Sequence, residues 1–434
     1  MNKNNDYKPL MVQERVLDIV EECFKNENSG AMDARQIALD ELGEFLVETG
    51  DGSFTLESEC LESSSETMHT FHGGLEESLE KYVKPSHLIG KDDVHIMDIC
   101  SGLGYTAAVC LEYLNDETIN TAKNSNICIE MVEISPLTLA AGLIIPSPLK
   151  SHEIVKKAIE DQLFSMGFLK HRMITQEIPS NIQLNVHIMD AREIVRNSMF
   201  KPIQDHSIET GSEQLVVGSD KQNKKFDAIL LVPFSPGVSP ELYSIDFLKG
   251  ISPLLKNDSM LLTYTSSSAV RYSLIELGLY VGEGPSFGRS GGTLASPCKE
   301  YIEKPLLSRD ERMVALSDAG IPFRDIELNN SGFEINERRQ NERAKARKEY
   351  KLASTVKSPV YLFNDIKEGR LRRRVLKDFK KFGIEDLVSE KSKFIVCPQY
   401  KECICGNGCE YIDNSSERVI EMEKRLDIII KNQE

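Results

Sequence analysis

From Val94 onward the chain alternates short apolar, β-rich runs with stretches of helical spacing. That rhythm marks βαβ units and confines the fold to an open, mainly parallel α/β sheet. It predicts strands at HIMDI, ICIEMVEI, QLNVHIMD, FDAILLVPF and SMLLTYTS, with the helix TAAVCLEYL after the first. A final antiparallel pair is expected from GLYVGEGPSFG onward. Four segments place a glycine turn or a polar residue just after an apolar run: Asp98 to Thr106, Met131 to Ser135, Met189 to Arg192 and Phe226 to Tyr243. Sheets of this kind hold ligands at such strand ends.

The first segment, DICSGLGYT, closes a strand on Asp98 and turns through Ser101-Gly102-Leu103-Gly104 into a helix. Glycines let backbone pass close to a ligand, and the free N–H groups of the helix start suit a carboxylate. A dinucleotide fingerprint would need a third glycine where Thr106 and Ala107 stand. Glu133 ends the next strand, where an acid can accept hydrogen bonds from ribose hydroxyls. Asp190 and Ala191 end the third, where a carboxylate and a backbone N–H can hold an adenine edge. Read singly, Glu133 and Asp190 could be strand-end turn residues. Read in order, the set predicts an S-adenosyl-L-methionine site on a Rossmann-like class I methyltransferase sheet.

A chain of 434 residues exceeds one compact core and is expected to form two or three units. Residues 1–65 read as a mainly helical N-terminal extension and 66–298 as the methyltransferase domain, with an exposed polar insertion at about 201–225. Residues 299–434 read as a basic helical region with a Cys-rich segment at 397–409. No apolar run approaches membrane-spanning length, and MNKNNDYKPL lacks a secretory h-region, so a cytoplasmic protein is expected. Its ten cysteines then read as thiols or metal ligands rather than disulfides. The net charge of −16 argues against DNA or indiscriminate nucleic-acid binding. Basic residues gather between Arg338 and Lys381, which is compatible with tRNA and equally with two solvated helix faces.

Beyond these residues, ETMHTFHGGLEES (Glu66 to Ser78) and LLVPFSPGVSPELYSIDFL (Leu230 to Leu248) resemble the methyltransferase module of the tRNA 5-methylaminomethyl-2-thiouridine biosynthesis family. Thr263 to Leu294 extends the likeness, which covers roughly Glu66 to Ala295. The resemblance implies transfer of a methyl group to the aminomethyl group of a tRNA wobble uridine. It also implies that Glu66 and His69 belong to the cofactor side, and Phe234, Pro236, Arg271 and Arg289 to the substrate side. Where the family carries its catalytic aspartate this chain has Val232, so another base is required. Glu241 and Tyr243 stand near in sequence. No flavin-binding oxidase half is recognisable, so methyl transfer alone is expected.

Cys397, Cys403, Cys405 and Cys409 offer four thiolates within one glycine-containing segment, a set that could hold zinc or an iron–sulfur cluster. Reduced cysteines in a loop are the plainer alternative. Two other readings of the whole chain compete with the tRNA enzyme. One is a methyltransferase acting on a small amine or a protein, and the other a non-catalytic RNA-binding or scaffold protein that keeps the cofactor fold.

Overall fold

Apolar side chains on both faces of a single strand set the architecture. The computed structural model describes residues 11–59, 65–116, 125–200, 225–288, 291–354, 369–386 and 388–432. In β1 (Asp93–Ile99), Val94 and Ile96 point to one side and Met97 and Ile99 to the other, all buried. A strand covered on both faces must sit in the middle of a sheet. It does: β2 (Asn126–Glu133) and β4 (Phe226–Leu231) flank it in parallel. Outside them lie β3 (Ile182–Ile188) and β5 (Leu255–Thr263), also parallel. The chain then reverses, and β7 (Thr293–Ser296) inserts antiparallel between β5 and β6 (Tyr280–Glu283). The order is β3-β2-β1-β4-β5-β7-β6. This is the Rossmann-like methyltransferase sheet expected from the sequence, and its strand order switches direction beside β1.

Helices complete the two faces. On one, α1 (Glu14–Asn28), α2 (Ala34–Leu42), α3 (Tyr105–Asn115), α4 (Pro136–Ile144) and α5 (Ser151–Ser165) share a cluster with Ile96, Ile129 and Leu230. On the other, α6 (Ser268–Glu276), α7 (Ser308–Leu316), α8 (Gly332–Glu349), α9 (Arg370–Lys381), α10 (Glu390–Val396) and α11 (Ser415–Lys431) pack with Ile99, Ile229 and Leu261. The segments before β1 and after β7 are thus walls of the sheet. The polar stretch read as an insertion falls on residues 201–224, which lie outside the described residues.

The basic stretch from Arg338 to Lys381 divides in two. In α8 the arginines turn inward. Arg338 donates to the Arg324 carbonyl at 2.6 Å, and Arg339 donates to that of Ile321 at 2.6 Å while stacking on Phe323. Arg343 and Arg347 both reach the buried Asp318, at 3.0 and 2.6 Å. In α9, by contrast, Arg370, Arg373, Lys377 and Lys380 are exposed.

Candidate active site

The turn after β1 is held by its neighbour strand. The amides of Cys100 and Ser101 both donate to the Val132 carbonyl, at 2.8 and 3.2 Å, and Gly104 N–H closes the turn on Ser101. Gly102 and Gly104 have φ of +52° and +84°. A Cβ on Gly104 would stand 2.7 Å from Val155, so that glycine also lets α3 approach α5. The loop brings the start of α3 to an open cleft of about 990 Å³, solvent space included.

Glu133 faces this cleft from the end of β2, accepting from Gly102 N–H at 3.1 Å and Ser135 N–H at 3.0 Å. Burial raises its pKa, against the pull of these amides. Asp190 and Ala191 line the same cleft beyond β3. Asp190 is fixed by Arg192, whose guanidinium also reaches Asp325 at 2.9 Å and the Asn330 carbonyl. The loop following β7 and α7 is therefore tied to the adenine side of the predicted site.

Asp98 lies beneath the turn, fully buried, and neither carboxylate oxygen has a hydrogen-bond partner among the described residues. Asp98, predicted to bind the cofactor, does not itself line the cleft. An orphaned buried carboxylate beneath a helix-start turn suits a ligand carrying an ammonium beside its carboxylate, as methionine does, only from below the turn. Burial, with the Glu133 charge adding to it, pushes the Asp98 pKa up to about 7. An acid with a raised native pKa stabilises the fold fully below its unfolded value, near 3.8, and that contribution fades as pH rises through about 7. Asp98→Asn should therefore flatten the fall in melting temperature of the ligand-free protein between those pH values. Calorimetry across the range checks this, and a variant that tracks the wild type would refute it.

Two further loops face each other across the cleft; of Glu66 and His69, expected on the cofactor side, only His69 lines it. Thr67, Met68 and His69 line the cleft, and Glu66 clasps the opposite loop through the Ser235 amide at 2.9 Å and the Ser235 hydroxyl. Val232, Pro233, Phe234, Ser239 and Glu241 line that opposite loop's face. Of the two expected candidates for a base, Glu241 faces the cleft. Tyr243 does not: it is wholly buried in the core, its hydroxyl 3.4 Å from the Pro233 carbonyl. Pro236 is buried beside the cleft rather than on it.

Arg271 corrects the expectation of a substrate contact. It is buried and off the cleft, its guanidinium divided between Glu283 and Asp310 at 2.8 Å each, with Thr293 at 3.1 Å. Arg289 lies outside the described residues. Tyr264, Met189 and Thr138 also line the cleft, although the sequence reading assigned them no role. Tyr264 follows β5, so its strand-end position was a usable signal. Met11 and Val12 also line it, and nothing in the sequence marked them.

Known proteins resemble this chain in matching ways. Residues 211–297 match a family described as S-adenosyl-L-methionine-dependent methyltransferase. An uncharacterized protein of Methanocaldococcus jannaschii is 29% identical over 387 residues, 88% of this chain and 94% of the relative. The tRNA 5-methylaminomethyl-2-thiouridine biosynthesis bifunctional protein MnmC of Ralstonia nicotianae is 38% identical over 63 residues, 14% of this chain and 10% of that protein. The crystal structure of MnmC2 from Aquifex aeolicus superposes with a TM-score of 0.50 at 24% identity, covering 76% of this chain and 98% of its own. The last likeness bears on fold. Together the matches support the resemblance to the MnmC methyltransferase module. Among the described residues no helix is long and apolar enough to cross a membrane.

Proposed function

We propose that this chain is an S-adenosyl-L-methionine-dependent methyltransferase whose acceptor is the aminomethyl group of a tRNA wobble uridine. The observation that carries the reading is one cleft lined by Ser101, Gly102, Glu133, Asp190 and Ala191 on one side and by Val232, Phe234 and Glu241 on the other. When bound, S-adenosyl-L-methionine supplies an electrophilic methyl on a sulfonium. The turn Ser101–Gly104 and the start of α3 would hold its carboxylate end. Glu133 would accept from its ribose, and Asp190 with the Ala191 amide would take the adenine edge. Val232 and Phe234 give the acceptor a dry wall, which lowers an amine's pKa and keeps it nucleophilic. The new N–CH3 bond forms as the S–CH3 bond breaks, and the amine's proton passes to Glu241. Separately, the clustered Cys397, Cys403, Cys405 and Cys409, their sulfurs within 4.8 Å of one another, are read as a metal site.

Labelled S-adenosyl-L-methionine with tRNA from a strain lacking the protein tests the assignment. Label should appear in a single modified uridine. Transfer to small amines or to protein, with none to tRNA, would favour the alternative acceptors.

The inward pairing of the α8 arginines supports α9 as the phosphate-binding face. Substituting Arg373, Lys377 and Lys380 by glutamine should weaken tRNA binding and lower the salt slope by roughly 0.7–0.9 for each phosphate that is no longer neutralised. The same change at Lys345 and Lys348 should leave the slope nearly intact. Equal effects from both sets would defeat this division of labour.

A further inference from the structure

Between Tyr400 and Asn414 the chain has no helix or strand, and from Lys401 to Asn414 no residue is buried. The segment's apolar anchorage is slight, Tyr400 and Ile404 packing part-buried against the core, which offsets little of the entropy of ordering it. Yet its ends are firmly placed on one side chain of α7. Gln399 donates to Glu311 at 2.6 Å, and Ser415 and Arg418 reach the same carboxylate at 2.6 Å each. Between these anchors the segment wraps inward on sulfur. Cys397 lies 3.8 Å from Cys403, Cys403 lies 3.7 Å from Cys405, and Cys405 lies 3.5 Å from Cys409. All four Sγ atoms fall within 4.8 Å of one another. Gly406 and Gly408, with φ of +79° and +65°, supply the left-handed turns that bring Cys409 back to its partners.

These distances discriminate between occupants. They are too long for disulfides, whose sulfurs are bonded at about 2.05 Å. A single zinc about 2.3 Å from each of four sulfurs sets every pair of sulfurs about 3.8 Å apart, close to the 3.5–3.8 Å of the three pairs above. An iron–sulfur cluster shares its four thiolates among two or four sulfide-bridged irons, so they do not all surround one point as they do around a single ion. The ligand order is also compact: Cys397 comes from the end of α10, and the other three come from one seven-residue turn.

We propose that Cys397, Cys403, Cys405 and Cys409 bind one zinc ion as a closed tetrathiolate, and that this ion is what folds residues 400–414 onto α7 and α11. The proposal rests on the metal-site reading above and adds the ion's identity, nuclearity and task. A site with four protein ligands leaves no open position for catalysis, and its binding free energy goes into folding the segment. None of its ligands lines the cofactor cleft, so metal loss should unravel this segment and leave cofactor binding in place.

Elemental analysis of the full-length chain, purified without chelator or added metal, should give about one zinc per chain and neither iron nor labile sulfide. Cobalt(II) exchanged into the site should show the ligand-field and thiolate charge-transfer bands of a tetrahedral tetrathiolate. Limited proteolysis should spare residues 400–414 in the zinc form and cut there after chelation, while calorimetric binding of S-adenosyl-L-methionine is unchanged. Cys405→Ser and Cys409→Ser should each lose the zinc and gain the same cleavage. Iron with sulfide would overturn the zinc assignment and leave a metal site standing. No metal at all would overturn both. Zinc whose removal leaves the segment equally protected would refute the folding role.

Discussion

Replacing Glu241 by glutamine is expected to lower the rate of methyl transfer by roughly 10²–10⁴-fold while leaving cofactor affinity unchanged, the usual span for a lost general base. A protonated amine has no lone pair, so attack on the sulfonium requires a neutral amine and a route for its proton. By the resemblance, Val232 takes the place of the aspartate expected there, and an isopropyl group can do neither task. Glu241 is buried, faces the same cleft and comes from the same loop. The start of α8 lies close behind it: a Cβ on Gly332 would stand 3.6 Å from its Oε2. Glutamine keeps the shape and removes the proton acceptor. Adding Val232→Asp to that variant should recover part of the neutral-pH rate, because the cleft then regains a carboxylate. Single-turnover kinetics with labelled cofactor on unmodified tRNA make the comparison. A glutamine variant within about threefold of the wild type, far short of the span expected for a base, would remove Glu241 from the chemistry.

Much of this arrangement was legible because strand ends in an open α/β sheet are read by position. Asp98, Glu133 and Asp190 each follow an apolar run, and backbone periodicity alone delivers them to one edge. Val232 and Glu241 lie beyond the fourth run, but their place in the chemistry was read from the family resemblance and not from periodicity. Arg271 and Tyr243 show where that logic stops. Both occur in stretches that match the related family, yet a match in sequence does not say which way a side chain points. Arg271 is drawn into the sheet by Glu283 and Asp310, acids from a neighbouring strand and from α7. The α8 arginines fail for a related reason. A cationic run looks exposed until the carbonyls of residues 319, 321 and 324, and Asp318, are brought against it by tertiary packing. Local pattern predicts elements well. It does not predict which long polar side chains are recruited into the interior.

The most damaging single substitution outside the cleft should be Arg192→Met, which is expected to cost about 3–5 kcal/mol of stability, the range for breaking a buried ion pair. Arg192 is 1% exposed and Asp325 is fully buried. Its guanidinium spans Asp190 at 2.8 Å and Asp325 at 2.9 Å and also donates to the Asn330 carbonyl. Methionine fills a similar volume but leaves one acid uncompensated in the interior and a second, Asp190, without its orienting partner. Cofactor binding should weaken as well, because the carboxylate proposed to hold the adenine edge would no longer be fixed. The two effects have separate remedies. Asp325→Asn in the same chain removes the buried charge and should return much of the stability, so the pair should be strongly non-additive. It should not return the affinity, since Asp190 remains untethered. Denaturant unfolding and calorimetric titration of the single and double variants measure both quantities. A loss below about 1 kcal/mol would mean that water reaches the acids. Restored affinity in the double variant would mean that Asp190 needs no clamp.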